Sequence, residues 1–278
     1  MGELFTEVNG IKICYQIHGD GFPLVLLHGF NMYKEFWIAQ VQSLLDKFKI
    51  ITLDNRGCGK SDHPIEPYYM ETMAEDVKSL LDFLEIKKIN LGGHSVGGTI
   101  AQHFALKYPN RLNKLILMAT WANLPLDKSG LEMYKENQLS NYQAKLSDPT
   151  KAFYDKIKLR FTRNFYRQMV EAPKKKFYDL FSSEDLKDFE NNFGTSKPED
   201  ILNQIEAIAK HNTLEQLKDI QTETLILAGH KDKITPKIGS EVLHEKIPNS
   251  YLKIFNGGHW FPLENAPELN NAITSFLT

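Results

Sequence analysis

Short runs of apolar residues recur along the chain, and segments with helix-like spacing of apolar positions separate them. Each run contains at most one polar residue, which is typical of parallel strands buried on both faces of a sheet. The segment Thr72–Leu84 carries apolar residues three or four positions apart, which indicates an amphipathic helix. Alternating strands and helices predict an α/β fold with a doubly wound, mostly parallel sheet. The strand-like runs are Leu24–Leu27, Ile50–Leu53, Ile89–Leu91, Leu115–Ala119, Leu225–Ala228 and Tyr251–Phe255.

Two segments depart from this alternation. At the N-terminus, Leu4–Val8 and Ile11–Tyr15 read as strands, and Asn9-Gly10 between them suits a two-residue hairpin turn. From about residue 123 to 217 only helical patterns occur. We therefore predict a core in two parts, residues 1–122 and 218–278, with a helical cap inserted at residues 123–217. The cap is expected to cover the carboxyl ends of the strands, where such sheets bind ligands.

Composition and charge narrow the classes of function. The 278 residues are 42% hydrophobic and 24% charged, as in a globular chain with a sizeable core. The formal net charge of −2 provides no field that would attract nucleic acid or an anionic membrane, so we expect neither partner. We see no secretory signal, and Cys14 and Cys58 alone make no disulfide framework. A cytoplasmic monomer or homodimer is expected.

Residues 156–176 form a basic stretch, with eight Lys or Arg against one acid. Residues 177–200 reverse this balance, with seven Asp or Glu against two Lys. The basic stretch could steer an anionic substrate. The favoured interpretation is that the two segments pair with each other and solvate the surface.

The candidate nucleophile lies directly after one of the predicted strands. Gly93-His94-Ser95-Val96-Gly97 follows Ile89–Leu91 and precedes a helical pattern, so Ser95 lies on a tight strand-to-helix turn. Such a turn exposes the serine hydroxyl, and the flanking glycines permit it because they have no Cβ. The N–H groups at the helix start point toward developing negative charge. We predict that Ser95 is a nucleophile.

A nucleophilic serine needs a base, because its hydroxyl does not ionise at neutral pH. Of the nine histidines, His259 follows the last predicted strand in a Gly257-Gly258-His259 loop, so we expect it at the same sheet edge as Ser95. Asp232 follows the preceding strand and gives the order nucleophile, acid, base that this fold uses. Asp127 is the alternative acid, but it lies farther beyond its strand.

An oxyanion hole is expected where His28-Gly29-Phe30 follows the strand Leu24–Leu27. The backbone N–H groups of Phe30 and Val96 are the predicted donors, so neither side chain needs to be polar. Further candidates for the substrate pocket are Trp260, Trp121, His94 and His211.

Other motifs carry less weight. Gly59-Lys60-Ser61 resembles the end of a phosphate-binding loop, but Asp54 occupies the position of its first glycine. Cys58 lacks an assigned base, and no pair of histidines has metal-ligand spacing with supporting carboxylates. We therefore expect no metal and no other cofactor.

Together these segments resemble the successive signatures of the α/β-hydrolase superfamily over nearly the whole chain. They are His28-Gly29-Phe30, Asp54–Ser61, Gly93–Gly97, Asp232 and Gly258-His259. The form is similar to the single-cap serine hydrolases, which include carboxylesterases, lactonases and C–C bond hydrolases. The resemblance implies that the loop Asp54–Ser61 is architectural. It disfavours epoxide hydrolases and haloalkane dehalogenases, which have an aspartate where this chain has Ser95.

The expected function is a serine hydrolase that cleaves small-molecule carboxylic esters, with small or medium acyl chains, through an acyl-enzyme on Ser95. C–C bond hydrolysis is an alternative because Trp260, after His259, resembles that subgroup, although the loop His28–Met32 lacks its glycine-rich continuation. Opening of an enol-lactone or another lactone is a second alternative, since lactonases share these residues. A non-catalytic small-molecule receptor is a distant hypothesis, because a binding protein has no need of all three groups.

Overall fold

The computed structural model, which describes residues 2–124 and 126–278, contains a sheet whose strands are mostly parallel. Its strands are β1 Leu4–Val8, β2 Ile11–His18, β3 Phe22–Leu27, β4 Phe48–Leu53, β5 Ile89–His94, β6 Leu112–Met118, β7 Thr224–Gly229 and β8 Ser250–Phe255. In the described part of the chain these eight form one sheet in the order β1-β2-β4-β3-β5-β6-β7-β8. Only β1–β2 and β2–β4 pair antiparallel among them. The predicted fold class is confirmed.

The two ends of the sheet differ in how well the sequence predicts them. The N-terminal hairpin is confirmed, since Val8 pairs with Ile11 across the turn. Asn9 and Gly10 have φ angles of 49° and 75°, a conformation that these two residue types adopt readily. At the other end, the expectation of a strand buried on both faces is wrong for β8. This strand is an edge strand, and Tyr251 is 54% exposed.

Helices cover both faces of the sheet. They are α1 Ile38–Leu44, α2 Met70–Phe83, α3 Val96–Lys107, α4 Lys128–Ser147, α5 Pro149–Arg160, α6 Arg163–Glu171, α7 Ser183–Phe193, α8 Pro198–Ala209, α9 Ile238–Lys246, α10 Phe261–Glu264 and α11 Ala266–Leu277. Alternate strand residues point to opposite faces. In β3, Val25 and Leu27 join the apolar cluster with α2, α3 and α9, whereas Leu24 and Leu26 join the cluster with α1 and α11. None of the helices in the described ranges combines the length and the apolar composition that a membrane span requires.

The chain between β6 and β7 is helical wherever the structure describes it, apart from loops and isolated bridges. We call residues 128–209 the helical insertion; it contains α4 to α8. Local sequence explains where four of these helices begin, because the N-cap side chain accepts a hydrogen bond from a first-turn N–H. These N-caps are Asp127, Asp148, Thr162 and Ser182. Asp127, the alternative acid, therefore caps α4. The cap boundaries at residues 123 and 217 stay a prediction.

The loop Asp54–Ser61 after β4 is architectural, as expected. The Asp54 carboxylate is buried and accepts hydrogen bonds from the backbone N–H groups of Lys34 at 2.7 Å and Lys60 at 2.9 Å. It also pairs with Lys34 Nζ at 3.1 Å. Ser61 Oγ donates to Asp54 O at 2.6 Å and accepts from Cys14 N at 2.9 Å. These bonds attach the loop to the strands beside it.

The helical insertion is joined to the core by buried polar contacts on this loop. Gln204 of α8 is 1% exposed; its Oε1 accepts from Asn31 N at 2.9 Å and its Nε2 donates to Gly57 O at 3.3 Å. Ser196 Oγ donates to Gly57 O at 2.9 Å. Buried polar groups are stable when they are hydrogen-bonded, so these contacts fix the position of α8 over the core.

A histidine makes part of this contact pH-dependent. His63 Nδ1 lies 2.8 Å from Asp200 Oδ2 in α8, and this hydrogen bond raises the pKa of His63 above its usual 6.5. A raised pKa in the folded state stabilises the fold fully below the usual value, and the stabilisation is lost as pH rises through the folded value. We expect His63→Gln to lower the free energy of unfolding by at most about 1 kcal/mol at about pH 5.5. At about pH 8.5 the loss should be smaller. Urea unfolding at both pH values measures the difference.

The matched control is His244→Gln. The His244 ring bonds the Ser250 hydroxyl and no carboxylate among the described residues, so its effect should not fall with rising pH in this way. An equal loss for His63→Gln at both pH values would show that its charge contributes nothing.

Candidate active site

Ser95 occupies the turn between β5 and α3. Its φ and ψ of 55° and −118° lie in a region that residues with a Cβ rarely adopt. Ser95 N donates to Met118 O at 2.8 Å, and Ser95 O accepts from Thr120 Oγ1 at 2.8 Å. The end of β6 and the residues after it therefore stabilise the strained turn. This is the conformation that a nucleophilic serine adopts between a strand and a helix.

Two glycines permit this turn, because neither position has room for a side chain. A Cβ on Gly93 would lie 2.1 Å from Gly97 O. A Cβ on Gly97 would lie 2.2 Å from Leu27 O at the end of β3. Both glycines lie outside the set with positive φ, so the requirement here is space rather than backbone freedom.

His259 and Asp232 form a hydrogen-bonded pair at the same edge of the sheet. His259 Nδ1 lies 2.8 Å from Asp232 Oδ2, and Thr235 Oγ1 donates to the same oxygen at 2.6 Å. The backbone N–H groups of Ile234 and Thr235 donate to Asp232 Oδ1 at 2.8 and 2.9 Å. Burial by itself raises the pKa of Asp232, but His259 and Thr235 outweigh it and keep the pKa below its usual 3.8. Asp232 is therefore a carboxylate that accepts from His259.

His259 lies beside the turn that carries Ser95, but in the described ranges the two side chains are not hydrogen-bonded to each other. The ring of His94, the residue before Ser95, has its centroid 4.7 Å from that of His259. Within residues 2–124 and 126–278, neither Ser95 Oγ nor His259 Nε2 has a hydrogen-bond partner. In hydrolases without substrate this bond is often long, and it shortens when the substrate binds.

His94 is neutral and supports the backbone of His259. Its Nε2 donates to His259 O at 2.8 Å, which places the proton on Nε2. Burial, and then the neighbouring His259, lower the pKa of His94 to about 3. His94 Nδ1 has no hydrogen-bond partner among the described residues.

The loop that carries His259 is attached to both the core and the helical insertion. Glu264 accepts from Gly258 N at 2.9 Å. From the insertion, Arg160 O accepts from Trp260 N at 2.9 Å. A Cβ on Gly258 would lie 2.3 Å from Arg160 O, so glycine is required for this approach. The position of His259 thus depends on α5 as well as on the sheet.

The loop after β3 lies against the turn at Ser95. A Cβ on Gly29 would lie 3.2 Å from Ser95 Cβ. The N–H groups of Phe30 and Val96 donate to no acceptor in the described ranges. Such N–H groups beside a serine are suited to stabilise an oxyanion.

His28 orders this loop from inside the protein. Its Nδ1 donates to Gly29 O at 2.9 Å, and its Nε2 accepts from Asn55 N at 3.0 Å. Burial lowers the pKa of His28, so the ring is neutral and makes both contacts as a single tautomer.

A cavity of about 160 Å³ lies between this loop and the helical insertion. Phe30 and Asn31 form its wall on the core side, and α4, α5, α7 and the segment that follows α7 contribute the remaining walls. Ser95 and His259 are each 4% exposed and do not line it. The loop 28–31 is therefore shared between the cavity and the turn at Ser95.

Charged side chains are concentrated on the insertion side of the cavity. Lys156 Nζ lies 2.6 Å from Glu190 Oε2, and Lys145 Nζ lies 3.2 Å from Oε1. Burial by itself raises the pKa of Glu190, but the two lysines outweigh it and lower the pKa. Arg160 stacks on Trp260, with its Cζ 5.4 Å from the ring centroid.

The pairing predicted for the basic stretch 156–176 is confirmed at two positions. Lys156 pairs with Glu190, and Lys176 pairs with Asp185 at 2.5 Å. Both acids belong to the acidic stretch that follows.

The predicted pocket residues lie in different surroundings. Trp260 is 3% exposed and packs against Phe36 and Phe161, with centroid distances of 5.6 and 5.5 Å. His211 donates from Nε2 to Trp121 O at 3.2 Å, and its other nitrogen accepts from His103. Trp260, His94, Trp121 and His211 do not line the cavity described above, and their roles in binding stay a prediction.

A metal site was not expected. Within residues 2–124 and 126–278, no group of three or more His, Cys, Asp or Glu side chains could hold a metal ion. Cys14 and Cys58 are buried free thiols, and burial raises the pKa of both. The expectation of no cofactor stays a prediction.

Two polar residues, Thr235 and Gln204, were not predicted, although the sequence carries a signal for each. Thr235 lies three positions after Asp232, a spacing at which an aspartate in a turn accepts from the following residues. Gln204 shares the apolar face of α8 with Ile201 and Ile205, and a polar residue on such a face marks a buried contact. The sequence marks Arg160 only as one member of the basic stretch 156–176, because its place beside Trp260 depends on how α5 packs.

The fold and these residues define a class of protein. The family model of the alpha/beta hydrolase fold matches residues 23–266. The chain belongs to this family and is a hydrolase of the α/β type.

Known proteins are similar over most of the chain. The proline iminopeptidase of Lactobacillus acidophilus is 31% identical over 266 residues, 88% of this chain and 87% of that protein. The 3-oxoadipate enol-lactonase 2 of Acinetobacter baylyi is 26% identical over 261 residues, 93% of this chain and 89% of that protein. A thermophilic esterase from Thermogutta terrifontis superposes with a TM-score of 0.82 at 27% identity, covering 100% of this chain and 98% of that chain.

We expect Gly97→Ala to lower the free energy of unfolding by about 3 kcal/mol, because the new Cβ would overlap Leu27 O. The control Gly130→Ala adds the same methyl group in α4, where the nearest atom, Asp127 Oδ1, would be 3.3 Å away and can move. Helix propensity favours alanine there, so this variant should keep its stability within about 1 kcal/mol. Urea unfolding of the three proteins gives the comparison, and equal losses would contradict the requirement for space at Gly97.

Proposed function

We propose that the protein is a serine hydrolase that cleaves carboxylic esters of small or medium acids through an acyl-enzyme on Ser95. One observation carries this proposal: the strained turn at Ser95 and the hydrogen-bonded pair of His259 and Asp232 lie at one edge of the sheet. The free N–H groups of Phe30 and Val96 support it, because they lie beside the same turn.

In the proposed reaction, His259 Nε2 takes the proton from Ser95 Oγ as Oγ attacks the ester carbonyl carbon. The resulting oxyanion accepts hydrogen bonds from Phe30 N and Val96 N, which are in place before the reaction. The C–O bond then breaks, and the alcohol leaves with the proton from His259. Water attacks the acyl group, His259 takes a proton from that water, and the acid leaves as Ser95 regains its proton.

Asp232 has two roles in this proposal. It fixes the ring orientation of His259, and its negative charge stabilises the imidazolium that forms when His259 takes a proton. The lowered pKa of Asp232 keeps this charge present at neutral pH. Thr235 is a positioning residue, because its hydroxyl donates to the oxygen of Asp232 that His259 contacts.

The relatives support a hydrolase but differ in the bond that their names indicate: a peptidase, an enol-lactonase and an esterase. We place an ester first because an alcohol is a better leaving group than an amine. The lactone and C–C alternatives use the same three residues. The burial of Ser95 also supports a cap role for the helical insertion. Ser95 lies beside the loop 28–31, which the insertion contacts through Gln204.

The first test is hydrolysis of 4-nitrophenyl esters from acetate to dodecanoate by the wild type and Ser95→Ala. We expect turnover that peaks at one chain length, and a loss of about four orders of magnitude or more in the variant. The matched control is Ser183→Ala, which removes a buried hydroxyl that has no hydrogen-bond partner among the described residues and should leave turnover unchanged. Full activity in Ser95→Ala would contradict the mechanism. A folded wild type without ester turnover would be assayed on lactones and on diketone dienoates.

The second test concerns Thr235→Val, which keeps the side-chain shape but removes the hydroxyl that donates to Asp232. A hydrogen bond to a charged group is worth about 1.5–3 kcal/mol, so kcat/KM should fall by about tenfold or more. Thr235→Ser restores the hydroxyl and should restore most of the activity. Equal kcat/KM in Thr235→Val and the wild type would remove Thr235 from the mechanism.

A further inference from the structure

The cavity between the loop 28–31 and the helical insertion carries an excess of positive charge. Lys145, Lys156 and Arg160 line it, whereas Glu190 is the buried carboxylate among its described lining residues. Asp155 also lines it, but this side chain is exposed and pairs with a lysine of its own helix at 2.6 Å. Three cations therefore line a cavity whose described walls include a single buried carboxylate.

Glu190 is already satisfied by two of these cations. Lys156 lies 2.6 Å from one carboxylate oxygen and Lys145 lies 3.2 Å from the other. Lys145 also donates to the backbone carbonyl of Glu190 at 3.3 Å. The charge of Glu190 is thus matched without Arg160.

Most N–H groups of the Arg160 guanidinium have no hydrogen-bond partner among the described residues. A guanidinium carries five N–H groups. Arg160 donates once, from Nη1 to Lys156 O at 2.8 Å, and no carboxylate in residues 2–124 and 126–278 forms an ion pair with it. Burial lowers the pKa of Arg160, although Glu190 acts in the opposite direction. A half-buried cation without an anion is costly unless a ligand supplies one.

The guanidinium is oriented by contacts beside the reacting groups. It stacks on the ring of Trp260, the residue after His259, at 5.4 Å. This contact limits its rotation, and the Arg160 backbone is fixed by the hydrogen bond from Trp260 N. Across the same cavity lies Phe30, whose N–H is a proposed oxyanion donor.

We infer that Arg160 binds a carboxylate of the substrate, so that the preferred substrates are acidic esters with one cleavable ester bond and one free carboxylate. The inference rests on the proposed ester hydrolase and names its substrate class. A planar carboxylate matches the guanidinium through two parallel hydrogen bonds, which a neutral group cannot form. At a half-buried position this pair is stronger than at a fully exposed one. The carboxylate belongs either to the acyl part or to the alcohol part, and matched substrates separate these cases.

The test compares two pairs of esters. Mono-4-nitrophenyl adipate and 4-nitrophenyl hexanoate have equal acyl length and differ in the terminal carboxylate. The second pair, 4-carboxyphenyl hexanoate and 4-carbamoylphenyl hexanoate, places the carboxylate on the leaving group. We expect kcat/KM of the wild type to favour the acidic member of one pair by about tenfold or more, and that pair identifies the part of the substrate that meets Arg160.

Three variants assign the preference to Arg160. In Arg160→Gln the ratio of acidic to neutral ester should fall to about one. In Arg160→Lys it should be intermediate, because a single ammonium lacks the planar fork. The matched control is Lys158→Gln, which removes an exposed cation from the same helix and should keep the wild-type ratio. An unchanged ratio in Arg160→Gln, with lower stability, would assign Arg160 only to the stack on Trp260 and overturn the inference.

Binding without turnover separates this inference from the proposed function. Ser95→Ala is titrated calorimetrically with monomethyl adipate and with dimethyl adipate. Tighter binding of the monoester, lost by about tenfold or more in Ser95→Ala/Arg160→Gln, supports the carboxylate site even if no ester is cleaved. Neutral esters cleaved by the wild type without any acidic preference would leave the ester hydrolase standing and reject the role of Arg160.

Discussion

The close backbone packing at the turn after β5 is the constraint on which the site depends. Gly93 and Gly97 allow the end of β5 and the start of α3 to approach each other, and α3 to approach the end of β3, to distances that no Cβ would permit. Ser95 is then forced into a conformation with φ of 55°, which costs free energy at that residue. The cost is offset by hydrogen bonds from the neighbouring strand end. Once this turn is fixed, the His94 ring donates to the His259 carbonyl. The turn after β5 and the loop after β8 meet at this hydrogen bond.

The molecule places its histidine by contacts from two directions. The sheet supplies β8 and the bond from His94 to the His259 carbonyl, and the carboxylate of Asp232 fixes the ring. The insertion supplies the carbonyl of Arg160, which reaches the residue after the histidine. The charged cavity lies on the insertion side of this junction. The pair of Asp232 and His259 and the charged cavity therefore lie in different layers, which meet at the histidine loop through the Arg160 carbonyl and the Arg160 side chain.

Much of the fold could be predicted from the sequence, because buried parallel strands require unbroken apolar runs and their carboxyl ends share one edge. That rule placed Ser95, Asp232 and His259 at one edge of the sheet, and Asp232 and His259 are hydrogen-bonded to each other. The rule failed at β8, because local periodicity does not show the order of the strands in the sheet, and this order makes β8 an edge strand. The same rule did not predict the residues that line the cavity between the loop 28–31 and the helical insertion. Trp121 and His211 contact each other beside α3, and only the packing of the helices reveals this.

The contact between Arg160 O and the histidine loop has a consequence for how such a protein diversifies. An inserted segment is usually regarded as exchangeable, since it can be lengthened or replaced while the sheet stays the same. Here the exchange is restricted, because the backbone carbonyl of residue 160 accepts a hydrogen bond from Trp260 N and lies against Gly258. Both contacts are independent of the side chain at position 160. Divergence at this site can therefore proceed by changing side chains on α5 one at a time. A replacement helix would keep the histidine in place only if it presented a backbone carbonyl at the same point.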